Sequence, residues 1–150
     1  MFRRFKHIWT GYPYIATVST MHSVCIAVIA HGSSRRTHIE FVEDIARRIE
    51  SALGLRVAVG YLDGRSRGLA DAEEVLDRLA VEGCRRVAVV PFFLTPGRHA
   101  KEDVPRIVES ARSRHRDVEF IVTPCIGEHS NIVEIVVDLI KRSLYTNRNG

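Results

Sequence analysis

The chain has 150 residues, 45% hydrophobic and 27% charged, which is one domain's worth of globular sequence with enough apolar mass for a full core. Its formal charge of +4 is concentrated at the start. Arg3, Arg4 and Lys6 sit among the first twenty residues with no acid, and the rest balances 19 basic against 18 acidic side chains, so no nucleic-acid-binding surface is implied. Apolar runs such as 24-VCIAVIA-30 fall well short of the roughly 20 residues of a membrane helix. The three cysteines, Cys25, Cys84 and Cys125, have no framework spacing, which argues against a disulfide scaffold and for a reducing, cytoplasmic setting.

Residues 1–22 show no periodicity, and Gly11 and Pro13 interrupt their apolar part. They read as a leader or disordered arm, with Met21 as the natural start; an arm packed on a partner is the alternative. From residue 24 the pattern is regular. VCIAVIA (24–30) reads as a buried strand. Apolar residues at helical spacing over 37–53 predict a helix, with Thr37 and Glu40 as a capping box and Gly54 as its stop. A second strand is predicted over 55–62, a helix over 69–83 and a third strand over 85–94. A helix over 102–115 follows, with Pro105 in its first turn, then a strand over 118–124, a helix over 129–144 and a tail over 146–150.

Strands alternating with helices imply right-handed crossovers and a parallel sheet. The expectation is a single three-layer α/β domain over 23–145, with four strands ordered 2-1-3-4. In such sheets ligands bind beyond the carboxyl ends of the strands where the order reverses, here between strands 1 and 3. The loops at that point are 31-HGSSRR-36 and 92-FFLTPGRHAK-101, and each brings one histidine, His31 and His99. Neighbouring strands lie about 5 Å apart, so two imidazoles over one sheet edge can share a metal ion. A histidine after a strand can also simply bond a backbone carbonyl, and that reading stays open beside the metal one.

Cations surround these histidines: Arg35, Arg36, Arg98 and Lys101, with Arg65 and Arg67 from the loop after strand 2. Guanidinium groups match carboxylates, so the edge suits a polyanionic small ligand, with a solvated basic rim as the plain alternative. HGSS lacks the spacing of a phosphate-binding P-loop. Ala30, rather than arginine, precedes His31, which argues against a histidine phosphatase. His38, His115 and His129 are weaker candidates, Cys25 and Cys84 read as core, and Glu102 and Asp103 as acids serving a helix N-terminus.

The run AVIAHGSSRRTHIEFVEDIARRIESALG, followed by VAVVPFFLTPGRHAKEDVPRIVES, resembles the sirohydrochlorin cobaltochelatase family. The nearest form is the short, single-domain archaeal kind, which includes nickel chelatases. Most specific is P-F-F-L-x-P-G-x-H-x-K-x-D-x-P. The resemblance spans about 24–142 and implies a homodimer facing across a cleft, no organic cofactor, and a divalent metal (cobalt or nickel, possibly iron) held by His31 and His99. It implies insertion of that metal into sirohydrochlorin without ATP. The tetrapyrrole carboxylates would dock on Ser33, Arg35, Arg36, Arg65, Arg67, Arg98 and Lys101. The family commonly has a glutamate at the end of strand 2, within F-L-E-x-x-x-P-S; here the segment is 61-YLDGRSRG-68, and Asp63 stands in as the third catalytic candidate. A carrier without turnover and a flavodoxin-like anion-binding module are the other readings these residues allow.

Overall fold

The computed structural model describes residues 23–146; the leader and residues 147–150, including most of the predicted tail, lie outside them. Strand β1 (Val24–Ala30) forms where its sequence is a continuous run with β-branched residues, and all but its first residue are buried. It pairs in parallel with β2 (Arg56–Tyr61) on one side and β3 (Arg86–Pro91) on the other, and β3 pairs with β4 (Glu119–Val122). The sheet order is β2-β1-β3-β4, the predicted one.

Side chains alternate across the sheet. Ile26, Val28 and Ala30 of β1 meet helix α1 (Arg36–Leu53) through Val42. Cys25, Ala27 and Ile29 meet α3 (Ala72–Val81) and α4 (Val104–Arg114) through Leu76, Leu79 and Val108. Leu76 and Leu79 are fully buried, and each such side chain stabilises by about 1.5–3 kcal/mol relative to exposure. A four-residue helix, α2 (Gly64–Arg67), occupies what read as a loop after β2.

Several local expectations are corrected. The capping box of Thr37 and Glu40 does not form: Arg35 is the extended N-cap residue without a side-chain cap, and Glu40 pairs with Arg36 at 2.7 Å instead. Gly54, at φ 65°, does end the helix. Helix α3 starts at 72 because Asp71 caps it, its carboxylate accepting from the Glu73 N–H at 3.1 Å. A π-helical turn, His99–Asp103, precedes α4, and Pro105 sits in that helix's first turn. A 3-10 turn, Ile126–Glu128, precedes the last helix, α5 (Ile132–Thr146), which starts three residues after the predicted 129 and ends two after the predicted 144.

Cys25 and Cys84 are core residues as expected, but they form a disulfide. The expectation of unpaired thiols fails because the pairing is tertiary. The parallel register sets Val24 opposite Arg86, which brings the start of β1 beside the approach to β3 across 59 residues of sequence. The argument for a reducing compartment drawn from unpaired cysteines falls with it. Cys125 is free and buried. Among the described residues no helix is long and apolar enough to cross a membrane.

Candidate metal centre at the strand β1 and β3 loops

The ladder fixes where the two loops start. The Phe92 N–H donates to the Ile29 carbonyl at 2.8 Å and the Leu62 N–H to the Ala30 carbonyl at 3.0 Å. His31 therefore leaves the sheet between the ends of β2 and β3. His99 opens the π-helical turn that follows β3. Their Nε2 atoms lie 2.9 Å apart, with ring centroids at 4.4 Å and planes nearly perpendicular. The structure thus brings together the two histidines that are 68 residues apart in sequence.

Behind His99 stands Asp103, one helical step on, with its Oδ2 2.7 Å from His99 Nδ1. A neutral imidazole has one N–H. The carboxylate accepts it at Nδ1, which leaves the His99 Nε2 lone pair free to accept from His31 Nε2–H. The hydrogen bond from His99 is the main cause holding the Asp103 carboxyl below the usual carboxylate range, against the opposing effect of burial. Asp103 does stand at the N-cap position of α4, as expected, though its side chain caps no backbone N–H there; what the sequence pattern does not disclose is its bond to His99. It fixes the orientation of the His99 ring; a carboxylate so placed is common behind histidines that bind metal. The i, i+4 spacing of His99 and Asp103 was the signal available for it. Phe93 forms a tilted apolar wall beside His99, with centroids 6.1 Å apart. Among the described residues no group of three His, Cys, Asp or Glu could hold an ion together.

Asp63 lies beside this centre. Its Oδ1 packs so tightly on Gly32 that a Cβ there would sit 1.8 Å away, so no larger residue fits without displacing the carboxylate. Arg67 ion-pairs with its other oxygen. The Asp63 Oδ1 and the Tyr61 hydroxyl are buried without a hydrogen-bond partner among the described residues, and both sit at the carboxyl end of β2. Burial pushes the Tyr61 hydroxyl up to about 12.

The predicted anion-binding residues divide. Ser33, Arg36 and Arg67 line one cleft of about 470 Å³ between the loops after β1 and β2. Ser33 also accepts from the Arg35 backbone N–H at 3.1 Å. Arg98 is exposed and pairs with Glu102 at 3.5 Å. Among the described residues no carboxylate lies within ion-pair distance of Arg35 or Lys101. Arg65 turns away, toward Glu74 at 3.3 Å and Asp71 at 3.7 Å, because its position on α2 faces the start of α3. His129 serves the turn before α5, its Nδ1 accepting from the Asn131 N–H at 3.1 Å. His115 binds Asp77 at 2.8 Å across two helices, and His38 is exposed.

The family model described as CbiX matches residues 25–143. A chloroplastic sirohydrochlorin ferrochelatase of Arabidopsis thaliana is 27% identical over 120 residues, covering 79% of this chain and 52% of that protein, so the chain spans about half its length. A sirohydrochlorin cobaltochelatase of Methanothermobacter thermautotrophicus is 26% identical over 134 residues, covering 79% of this chain and 92% of that one. The structure of SirB from Bacillus subtilis with Fe3+ superposes with a TM-score of 0.70 at 20% identity, covering 81% of this chain and 47% of that chain; at that identity it speaks to the fold.

Proposed function

This chain belongs to the CbiX family, and we propose that it is a metal chelatase that inserts a divalent ion into sirohydrochlorin without ATP, working as a homodimer. The metal we propose is cobalt or nickel. Iron joins the test because the plant relative is named for it. The observation that carries the reading is the 2.9 Å approach of His31 Nε2 to His99 Nε2, with Asp103 fixing the second ring from behind.

The chemistry follows from those atoms. In the metal-free state one proton lies between the two nitrogens. Both rings can hold an ion through their Nε2 atoms as neutral imidazoles; the His31 N–H proton then shifts from Nε2 to Nδ1, where no hydrogen bond is recorded among the described residues, with no net proton released. Two ligands leave the remaining positions open for the tetrapyrrole nitrogens. Carboxylates of the substrate dock on Ser33, Arg35, Arg36, Arg67, Arg98 and Lys101, holding the ring over the histidines; Arg65 plays a smaller part. Two pyrrole N–H protons must leave as the metal enters. His31, freed from the metal, accepts one as general base. Asp63 accepts the other once a substrate carboxylate draws Arg67 from it. Formation of the metal–nitrogen bonds drives the transfer, and acid opposes it because protonated imidazole cannot bind metal.

The test is anaerobic. Sirohydrochlorin is mixed with protein and cobalt(II), nickel(II) or iron(II), and its absorbance is followed against a protein-free control. Catalysed conversion, abolished in His31→Ala and in His99→Ala, is the expected result. Stoichiometric binding of metal and tetrapyrrole without conversion would make the protein a carrier. No rate above the control with any metal, and no binding, would sink the reading.

A further inference from the structure

The Cys25–Cys84 bond has no part in the metal edge. Cys25 is the second residue of β1, about 20 Å along the extended strand from His31. Cys84 lies in the turn that leads from α3 to β3. The bond therefore staples the amino edge of the sheet, opposite the loops that carry His31 and His99. Its ends are 59 residues apart in sequence, and their Cα atoms are 5.9 Å apart.

Backbone contacts, not sulfur, hold the two cysteines side by side. Cys25 sits opposite Arg56 of β2 and Val87 of β3, so its strand is paired on both sides. The Cys84 N–H donates to the Leu79 carbonyl at 3.1 Å, and the Gly83 N–H to the Ala80 carbonyl at 3.1 Å, which closes the end of α3. The Arg85 and Arg86 N–H groups both donate to the Ser23 carbonyl, at 2.8 and 3.1 Å, and tie the start of β1 to the start of β3. Cleaving the bond leaves two small thiol side chains in a core cluster with Leu79, Val87 and Val118. A thiol packs there as a small hydrophobe. The folded chain thus accepts the dithiol as well as the disulfide, and keeps the two sulfurs within reach of each other.

The unfolded chain does not treat the two forms alike. A bond that spans 59 residues removes conformational freedom from the unfolded chain, so the disulfide form is the harder one to unfold. The metal edge is insulated from this difference. The β1–β3 ladder runs unbroken from Val24 opposite Arg86 to Ile29 opposite Pro91, and the Phe92 N–H carries it on to the Ile29 carbonyl at 2.8 Å. That ladder, rather than the bond, sets the loops of His31 and His99 beside each other.

We propose that Cys25 and Cys84 form a reversible thiol–disulfide couple that sets the stability of this chain and leaves its metal edge unchanged. The oxidant is a small disulfide of the glutathione class. The Cys84 thiolate attacks one of its sulfurs, forming a mixed disulfide and releasing one small thiol. The Cys25 thiolate then attacks the Cys84 sulfur and releases the second. Two electrons pass to the small disulfide, and the two protons end on the two small thiols. Excess small thiol runs the same steps backward. Cys84 takes the first step because a turn opens locally more readily than a strand paired on both sides. Cys125 is no third member of the couple: it is free and buried, and it follows β4 at the other edge of the sheet. The inference stands apart from the chelatase reading, since it invokes neither tetrapyrrole nor metal.

The experiment equilibrates the full chain without oxygen in glutathione buffers of graded thiol-to-disulfide ratio. Samples are acid-quenched, denatured and alkylated, and their mass gives the number of free thiols. The expected number is one, Cys125, in the oxidising buffers, and all 3 cysteines in the reducing ones. The melting temperature by circular dichroism should be about 5–15 °C higher for the oxidised form. Cys84→Ala should melt near the reduced parent and at one temperature in every buffer. Affinity for cobalt(II), titrated after desalting, should be the same for both forms of the parent. Three free thiols in the most oxidising buffer would overturn the proposal, and so would a single one in the most reducing. Equal melting temperatures for the two forms would also overturn it, as would a cobalt(II) affinity that follows the thiol state.

Discussion

One face of the sheet lies beneath α3 and α4, where Val87 and Val89 have no exposure. The other is covered by α1 over β1 and β2, and among the described residues no helix covers it over β3 and β4, where Ile121 is 41% exposed. Strand β3 belongs to both: Val87, Val89 and Pro91 are buried on it while Ala88 and Val90 are half-buried. The difference teaches that a strand's apolar run specifies burial on two sides without specifying which element supplies each side. The loop edge repeats the contrast at the scale of a side chain. His99 is backed by Asp103, whereas no hydrogen bond is recorded to His31 Nδ1 among the described residues.

The strongest way to sharpen the contrast is Leu76→Ala on the closed face. It should cost about 2–5 kcal/mol in urea unfolding, by lost burial and the cavity left behind. A cost under about 1 kcal/mol would mean that face is not the core it resembles. At the loop edge, Asp103→Asn removes the support that sets His99 apart. Affinity for cobalt(II), read by isothermal titration, should fall roughly 10–100-fold. An unchanged affinity would make Asp103 incidental.

Val89→Ala and Val90→Ala compare the two faces on adjacent residues. Each removes about two methylene equivalents, worth roughly 0.8 kcal/mol apiece when fully buried. The first should cost about 1 kcal/mol more than the second at chain concentrations too low for association. Equal costs would show that face covered over β3 and β4 within the chain. The smallest effect is in acid. The folded-state carboxyl of Asp103 is lowered, so its bond to His99 stabilises above the ordinary carboxylate range, and that contribution is lost as pH falls through the depressed value. The difference in melting temperature between the parent and Asp103→Asn should therefore shrink in acid; a gap that widens there contradicts the assignment.

The strand order and the two histidines were legible because each rests on a local pattern joined to a general rule. Apolar runs gave the strands, and crossover handedness then placed 31 and 99 on neighbouring loops. The role of Asp103 behind His99 was missed because an acid four residues after a histidine, just ahead of a helix, has the same spacing whether it serves the helix alone or the ring as well. The disulfide was missed because 59 residues separate its ends and only the register of β1 on β3 makes them neighbours. The exposure of α5 was illegible for another reason: an amphipathic pattern records that a face needs covering and is silent on which element covers it. Arg65 went astray likewise, since a residue read on an open loop lies on a short helix that aims it at α3.

The closeness of Gly32 and Asp63 bears on how this chain can drift. A Cβ at position 32 would collide with the carboxylate from another loop, so alanine at 32 is admissible only after position 63 has become smaller or its carboxylate has swung away. The single changes Gly32→Ala and Asp63→Gly should each be harmful while the pair recovers part of the lost stability. Two loops 31 residues apart in sequence would then have to vary in a fixed order, the change at 63 opening the way for the change at 32.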